Sequence, residues 1–332
     1  MGPMTRTEPK PNPRRRYDFP RAKPGAETHV FRCRTEGMRL DQYLVTRFSG
    51  YSRNFLAGLI REGRVYVGGA AAKPSRRLLA DDEITVVLPE ARRSAPEEMD
   101  IPIVFEDEHL FVVNKPPGIV VHPARGHLSG TLYHGLLWRF REQLAADPEF
   151  RIGPVHRLDQ DTSGLLVYGK AEKTQQRLAL ALEKRNVKKR YLAIVHGELE
   201  FAGTIVDGAL GPDERGEGRV AIDGQESRPA RTGFRRLAAA GGWSLVECDL
   251  LTGRCHQIRV HLQALGHPIA GDLLYGGRRQ TDSGEPIIDR QALHAWRLAL
   301  EHPVSREPVE FVAPLPADMA ELAGRLGLEV PA

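Results

Sequence analysis

Three stretches of the 332-residue chain gather polar and charged side chains between apolar runs. The first is His156-Arg157-Leu158-Asp159-Gln160-Asp161-Thr162-Ser163-Gly164, which runs into the strand-like LLVYG. A loop at the mouth of a buried strand presents its side chains while the sheet fixes them, so this is a good place for a site. Asp161, Thr162, Ser163 and Gly164 are ordinary turn formers. A turn explains the first half, His156-Arg157-Leu158-Asp159, poorly, since His and Arg are not turn residues.

The second stretch, Lys188-Lys189-Arg190-Tyr191, closes a basic run that begins at Lys184-Arg185. It reads equally well as a solvated helix end, where cations suit the C-terminal dipole, or as a phosphate-contacting patch beside an aromatic able to stack on a base. The third, Thr252-Gly253-Arg254-Cys255-His256-Gln257-Ile258-Arg259-Val260-His261, opens a helix rich in Leu, Ile and Val. If that helix packs on a sheet, Arg259 is largely buried and requires an anionic partner, because an unpaired buried charge is costly. Asp159 is the candidate. The competing reading is a surface helix with solvated arginines.

Other chemistry finds little support. Gly164 to Lys170 has phosphate-loop spacing, but Ala171 stands where Ser or Thr is required, and the residues between the glycines are apolar and strand-like. Twelve histidines occur without HExxH or paired Cys/His spacing, and His256 and His261 are five apart, off a common helical face. No metal and no cofactor are expected. Cys33, Cys248 and Cys255 form no CxxC pair, which points to a reducing cytoplasm.

These residues need a scaffold, and the length suggests two domains at roughly 150 residues each. No apolar run approaches the ~18 residues of a membrane span, and MGPMTRTEPKPNPRRR offers no hydrophobic leader. The net charge of +4 hides a gradient: residues 1–35 carry +6, 36–89 carry +2, and the rest −4. A basic front suits a polyanionic partner.

Residues 1–35, proline-rich and aperiodic, are expected to be a disordered basic tail. Residues 36–89 read as a small α/β module with two short helices and short strands. Residues 90–100 read as a linker carrying Pro96. From 101 to 332, strands are expected at 109–116, 164–170, 190–199 and 243–251. Helices are expected at 131–145, 173–186 and about 254–265, the last ending at Gly266 with Pro268 beyond. The irregular order of strands and helices favours an α+β fold over a doubly wound one.

The motifs themselves resemble a known family. HRLDQDTSGLLV is similar to the signature of the RluA family of pseudouridine synthases. VNKPPGIVVHP (113–123), KRYLAIVHGEL (189–199), TGRCHQIRVHLQALGHPIAGDLLYG (252–276) and LHAWRLALEHP (293–303) resemble its other motifs in order. RLDQYLV, SR, LIREGRVYV and DDEITVVLP, within 37–89, resemble the α-L RNA-binding module of a small-subunit ribosomal protein, with Gly68-Gly69 where Asn-Gly is common.

The resemblance implies a mixed, largely antiparallel central sheet flanked by helices and loops, the pseudouridine synthase fold, behind the small RNA-binding module. It implies an enzyme, acting in the cytoplasm as a monomer, that isomerises uridine to pseudouridine in RNA without cofactor or metal. Large-subunit ribosomal RNA is favoured; transfer RNA, or a non-catalytic role in ribosome assembly, is the alternative. A two-carboxylate glycosidase using Asp161 is a weaker rival.

By the same resemblance Asp159 is the catalytic carboxylate, Arg259 its ion-pair partner, and Tyr191 the aromatic that stacks on the uracil and assists loss of the C5 proton. Arg157 enters the space left by the flipped base. His156, Lys184, Arg185, Lys188, Lys189 and Arg254 are expected to contact RNA, as are Arg39, Arg53 and Arg61 of the N-terminal module.

Overall fold

A computed structural model describes residues 27–33, 36–48, 53–88, 95–124, 127–216, 218–281 and 284–331. The chain divides into two compact units, Met1–Ser94 and Ala95–Ala332.

In the first unit, helices Leu40–Arg47 and Arg53–Arg61 accompany an antiparallel sheet of four strands. Their order is Glu27–Arg32, Glu83–Leu88, Val65–Val67 and Ala70–Ala71. Leu40 and Leu44, and again Leu56 and Ile60, lie one helical turn apart and bury against Val65, Val67, Leu78, Ile84 and Val86. The two-residue turn between Val67 and Ala70 needs positive φ at both central positions, and Gly68 and Gly69 supply it at 59° and 79°.

The expected tail at 1–35 requires correction at its end. Glu27–Arg32 is an edge strand in full register with Glu83–Leu88, and Phe31 packs on the small core. A β-branched and aromatic run, Thr28 to Phe31, outweighs its charged and proline-rich surroundings once a strand edge is available. Residues 1–26, 34 and 35 of that tail lie outside the described residues, as do 90–94 of the expected linker; 95–100 have no regular structure.

The second unit is built on a ten-stranded mixed sheet. Along its main path the strands run Gly203–Asp207, Arg231–Ala240, Trp243–Leu250, Lys188–His196, Leu293–Glu301, Ser163–Gly169, Leu110–Lys115 and Ile103–Glu106. Pro308–Val312 pairs with Leu293–Glu301, and Gly153–Pro154 with Ser163–Gly169. Every pairing is antiparallel except that of Leu293–Glu301 with Ser163–Gly169.

Ser163–Gly169 is buried throughout, which explains its unbroken apolar run. Leu165 and Val167 pack on one face with Leu178, and Leu166 and Tyr168 on the other with Phe111 and Phe140. Its backbone serves the ladder to Leu110–Lys115, the fate expected of a phosphate-loop look-alike. At Gly164 a Cβ would lie 2.3 Å from the carbonyl oxygen of Ala295, and φ is +113°, so the parallel pair meets only because a glycine stands there.

Helix boundaries differ from expectation where buried side chains intervene. The single helix expected at 131–145 is two, Leu132–Arg139 and Arg141–Ala146, broken at the fully buried Phe140. The next spans Glu172–Glu183, and Arg185 in the left-handed region ends it. The helix expected from Arg254 begins only at Gln257, after a turn in which His256 also takes a left-handed conformation. Gly266 closes it with φ +81°, as its sequence position foretells. A helix at Ala317–Arg325, not foreseen, packs Met319, Leu322 and Ala323 on the core. No helix among the described residues is long and apolar enough to cross a membrane.

Candidate active site

The loop 156–162, the first part of strand Lys188–His196 and the turn 252–256 with its helix line one cleft of about 530 Å³. That lies in the ~300–1,000 Å³ range of small-molecule sites. Asp159, Tyr191, Arg259, Arg157, His156, Arg185, Lys189 and Arg254 all border it.

The Asp159 loop is held from below. Ser163 and Thr162 are bonded to His294 and Gln291, and an Arg290 N–H donates to the carbonyl of Asp161 at 3.0 Å. Arg290 is itself paired with Asp318 of the C-terminal helix at 2.7 Å. From the side, Lys115 is completely buried, and its ammonium donates to the carbonyls of Pro116, Ile119 and Gln160 at 2.8, 2.9 and 2.7 Å. Burial pulls the Lys115 pKa down to about 7, while three carbonyl acceptors match all three hydrogens of the charged form.

The guanidinium of Arg259 is shared. Its Nη1 donates to Oδ2 of Asp159 at 3.2 Å, while Nε and Nη2 grip Asp272 at 2.6 and 2.8 Å. Burial opposes the charge on Arg259, but the bonds and field of Asp272, then of Asp159, outweigh it and raise the pKa. The ring of Tyr275 lies under the same guanidinium, 5.0 Å from its centroid. The anionic partner demanded by a buried arginine is thus double: Asp159 as expected, and Asp272, which sequence reasoning missed.

Tyr191, only 6% exposed, sits opposite Cys248 in the ladder. Burial, then the nearby Asp159 carboxylate, pushes its phenol pKa far up, so the hydroxyl keeps its proton. The turn before the helix is organised by Gln257. Its amide accepts from Thr252 Oγ1 and from the Arg254 N–H, and donates to the Arg231 carbonyl and to Thr232 Oγ1.

The basic residues divide by strand alternation and helix end. Lys189 faces the cleft, and burial lowers its pKa; Lys184, Arg185 and Lys188 are exposed. Arg157 is exposed at the cleft edge, and Arg254, also exposed, donates to the Pro229 carbonyl at 3.2 Å.

His156 lines the cleft and is also tied to the sheet. Its Nε2 accepts the backbone N–H of Val167 at 3.1 Å, and burial, then Lys189, depresses its pKa to about 3. It is a neutral brace for the loop and offers no charge to a phosphate.

In the first unit Arg39 is ion-paired with Asp41 at 3.0 Å, and Arg61 is exposed. The side chain of Arg53 lies outside the described residues.

Lys115 and Asp272 carried no signal of type or spacing beyond lying within stretches that resemble family motifs. Among the described residues, one donor atom from each of Asp159, Cys255 and His256 falls within 4.8 Å of the others. The Asp159 oxygen is already committed to Arg259, so an ion there would compete with that pair.

Residues 109–264 match the family described as RNA pseudouridylate synthase, and residues 38–84 match the S4 domain. The chain is 40% identical over 290 residues to an uncharacterized RNA pseudouridine synthase of Bacillus subtilis, covering 87% of this chain and 94% of that one. It is 42% identical over 292 residues to the ribosomal large subunit pseudouridine synthase D of Nitrosomonas europaea, covering 86% and 83%. Among solved structures, human RNA pseudouridylate synthase domain containing 1 superposes with a TM-score of 0.52 at 30% identity, covering 69% of this chain and 95% of that one. Human RNA pseudouridylate synthase domain containing 4 gives 0.56 at 25%, covering 70% and 95%.

Proposed function

The chain belongs to the RNA pseudouridylate synthase family and carries an S4 domain, and from that premise we propose that it isomerises specific uridines of large-subunit ribosomal RNA, with Asp159 as the catalytic carboxylate. The observation that carries the assignment of Asp159 is its 3.2 Å ion pair with the buried Arg259, at the wall of a cleft also lined by Tyr191.

The reaction breaks the bond from N1 of uracil to C1′ of ribose and forms one from C5 to C1′. C5 gives up its proton, and N1 ends with one. No atom is gained overall and nothing is oxidised, so the chemistry asks for no redox partner. One carboxylate suffices, whether it attacks C1′ or takes the C2′ proton, because no water must be directed at the sugar. Arg259, anchored on Asp272, holds one oxygen of Asp159 in place.

Tyr191 serves as a stacking surface for the uracil. The resemblance implies that its phenol assists loss of the C5 proton; burial, then Asp159, keeps that phenol protonated and makes it a poor base, so we assign the removal to Asp159 instead. Arg157 fills the stack vacated by the flipped nucleotide, a step that costs a few kcal/mol. Lys184, Arg185, Lys188 and Lys189 take backbone phosphates near the cleft, with Arg254 at its rim. The S4 domain, through Arg61 and its neighbours, provides a second hold on the same RNA and raises the effective concentration. The enzyme acts in the cytoplasm as a monomer, without a metal.

The test is to incubate the full chain and its Asp159→Asn variant with ribosomal RNA and map pseudouridine. The native chain should modify discrete sites, and the variant none while still binding RNA. Modification by the variant at the native rate would overturn the role of Asp159; modification of transfer RNA alone would overturn the substrate.

A further inference from the structure

Behind Asp159 lies a chain of hydrogen bonds that fixes one proton. The backbone N–H of Val220 donates to Oη of Tyr275 at 2.9 Å. A phenol has one hydrogen, and the same oxygen lies 2.8 Å from Nδ1 of His256. With Val220 already donating to the oxygen, the arrangement that uses every group has the Tyr275 hydroxyl donating to Nδ1. Nδ1 then carries no hydrogen, and in a neutral ring the proton must sit on Nε2. That nitrogen faces Asp159, 3.8 Å from the same Oδ2 that receives Arg259.

The groups around the imidazole agree with a neutral ring. Burial lowers the His256 pKa, the carboxylates of Asp159 and Asp272 push the other way, and the guanidiniums of Arg259 and Arg157 oppose protonation. Cys255, its chain neighbour, has its thiol pKa raised by burial and by Asp159. The guanidiniums of Arg219 and Arg259 both lie over the Tyr275 ring, 5.1 and 5.0 Å from its centroid.

We propose that Tyr275 holds His256 as the Nε2–H tautomer, and that His256 is a positioning residue giving Asp159 Oδ2 a second, uncharged hydrogen-bond donor, so that Oδ1 is left for the nucleotide. The 3.8 Å separation is longer than a hydrogen bond, as is common for catalytic contacts in the absence of substrate, and it closes when RNA seats. An uncharged donor restrains the carboxylate with little loss of basicity, which a second cation in place of the ring would reduce further. Val220 belongs to the strand pair Leu210–Pro212 and Val220–Ile222, so this excursion from the main sheet sets the tautomer of a cleft residue. The inference rests on Asp159 being the reacting carboxylate, and it assigns work to a histidine that the reaction scheme above leaves idle.

The experiment combines a spectroscopic and a kinetic readout on the full chain. In 15N-histidine-labelled protein at pH 7.5, the resonances lost in His256→Gln identify the ring. The wild type should show the neutral Nε2–H pattern, and Tyr275→Phe, which keeps the aromatic ring, should show a mixture with Nδ1–H. In single-turnover reactions at saturating enzyme, His256→Leu should lower the rate about tenfold to a hundredfold, the worth of one hydrogen bond to a charged group. RNA affinity should hold within about threefold, since no phosphate contact is touched. His256→Gln, whose amide N–H reaches as far as Nε2, should recover most of that rate.

An Nδ1–H or imidazolium pattern in the wild type overturns the tautomer, and this holds even should His256→Leu fail to fold. Equal rates for the Gln and Leu variants overturn the donor role. Asp159→Asn separates the two readings. If it stays active the catalytic assignment itself has failed; if it is dead while His256→Leu turns over normally, only the proposal for His256 has failed.

Discussion

Arg259 and Asp272 form a two-point ion pair on the side of the guanidinium turned away from Asp159, and the carboxylate is only 1% exposed. The pair aims the remaining Nη1 at the cleft. Asp272 therefore bears on Asp159 at one remove, through the direction in which it holds an arginine.

Asp272→Asn keeps the shape but leaves the Arg259 charge short of a partner. Losing one member of a buried pair costs about 3–5 kcal/mol, so denaturant unfolding should show a loss of that order. Asp159→Asn should lose less, because its side chain is 21% exposed. A variant at position 272 as stable as the wild type would show that Asp159 alone satisfies the arginine.

Lys115→Met should leave three carbonyls at the mouth of the Asp159 loop without their donor. An acceptor left unpaired away from water costs about 1–3 kcal/mol, and the residues carrying these three are half-buried or exposed, so a moderate destabilisation is expected, together with faster amide hydrogen exchange at Gly118, Ile119 and 158–162. Unchanged exchange there would show that the loops hold each other without the ammonium.

The pH dependence follows from His156, whose pKa falls from 6.5 to about 3 on folding. Above pH 6.5 the ring is neutral in both states. As pH falls below 6.5 the unfolded chain binds a proton that the folded one refuses, so stability drops progressively toward pH 3. His122, His196 and His294, each lowered to about 4 mainly by burial, add in the same direction. Between pH 7 and 5 the wild type should lose more stability than His156→Gln, which retains an acceptor for the Val167 amide. Equal losses would refute the linkage to His156.

Replacing Lys184 and Arg185 together by Ala should reduce the slope of log affinity against log salt by roughly 0.7–0.9 for each phosphate contact removed. Filter binding to a ribosomal RNA fragment at several salt concentrations measures it. An unchanged slope would place the RNA backbone elsewhere.

What could be read in advance follows the range of the forces involved. Ser163–Gly169 announces itself because a strand buried on both faces needs an unbroken apolar run, and Gly266 marks a helix end through backbone geometry alone. The pairing of Arg259 with Asp159 was legible because a buried cation creates a demand that few residues can meet. Lys115 and Asp272 escaped because their roles depend on partners, such as Gln160 and Arg259, that only the folded chain brings near. The strand Glu27–Arg32 escaped because its own composition is polar at the margins and its stability comes from Glu83–Leu88. The break at Phe140 escaped because helical periodicity continues through it, while the buried ring packs against Phe111 and Phe150.

The parallel seam between Ser163–Gly169 and Leu293–Glu301 has a temporal consequence. Ser163 and His294, bonded across it, are 131 residues apart in the chain, and Asp159 and Arg259 are 100 apart. Contacts of such separation form slowly, because a long loop must close before they bring any reward. A nascent chain on the ribosome exposes the Asp159 loop well before the strand that braces it has been translated. The brace that Ser163 and the Asp161 carbonyl receive from His294 and Arg290 is therefore missing until residues 290–294 have been made, however early the loop itself emerges.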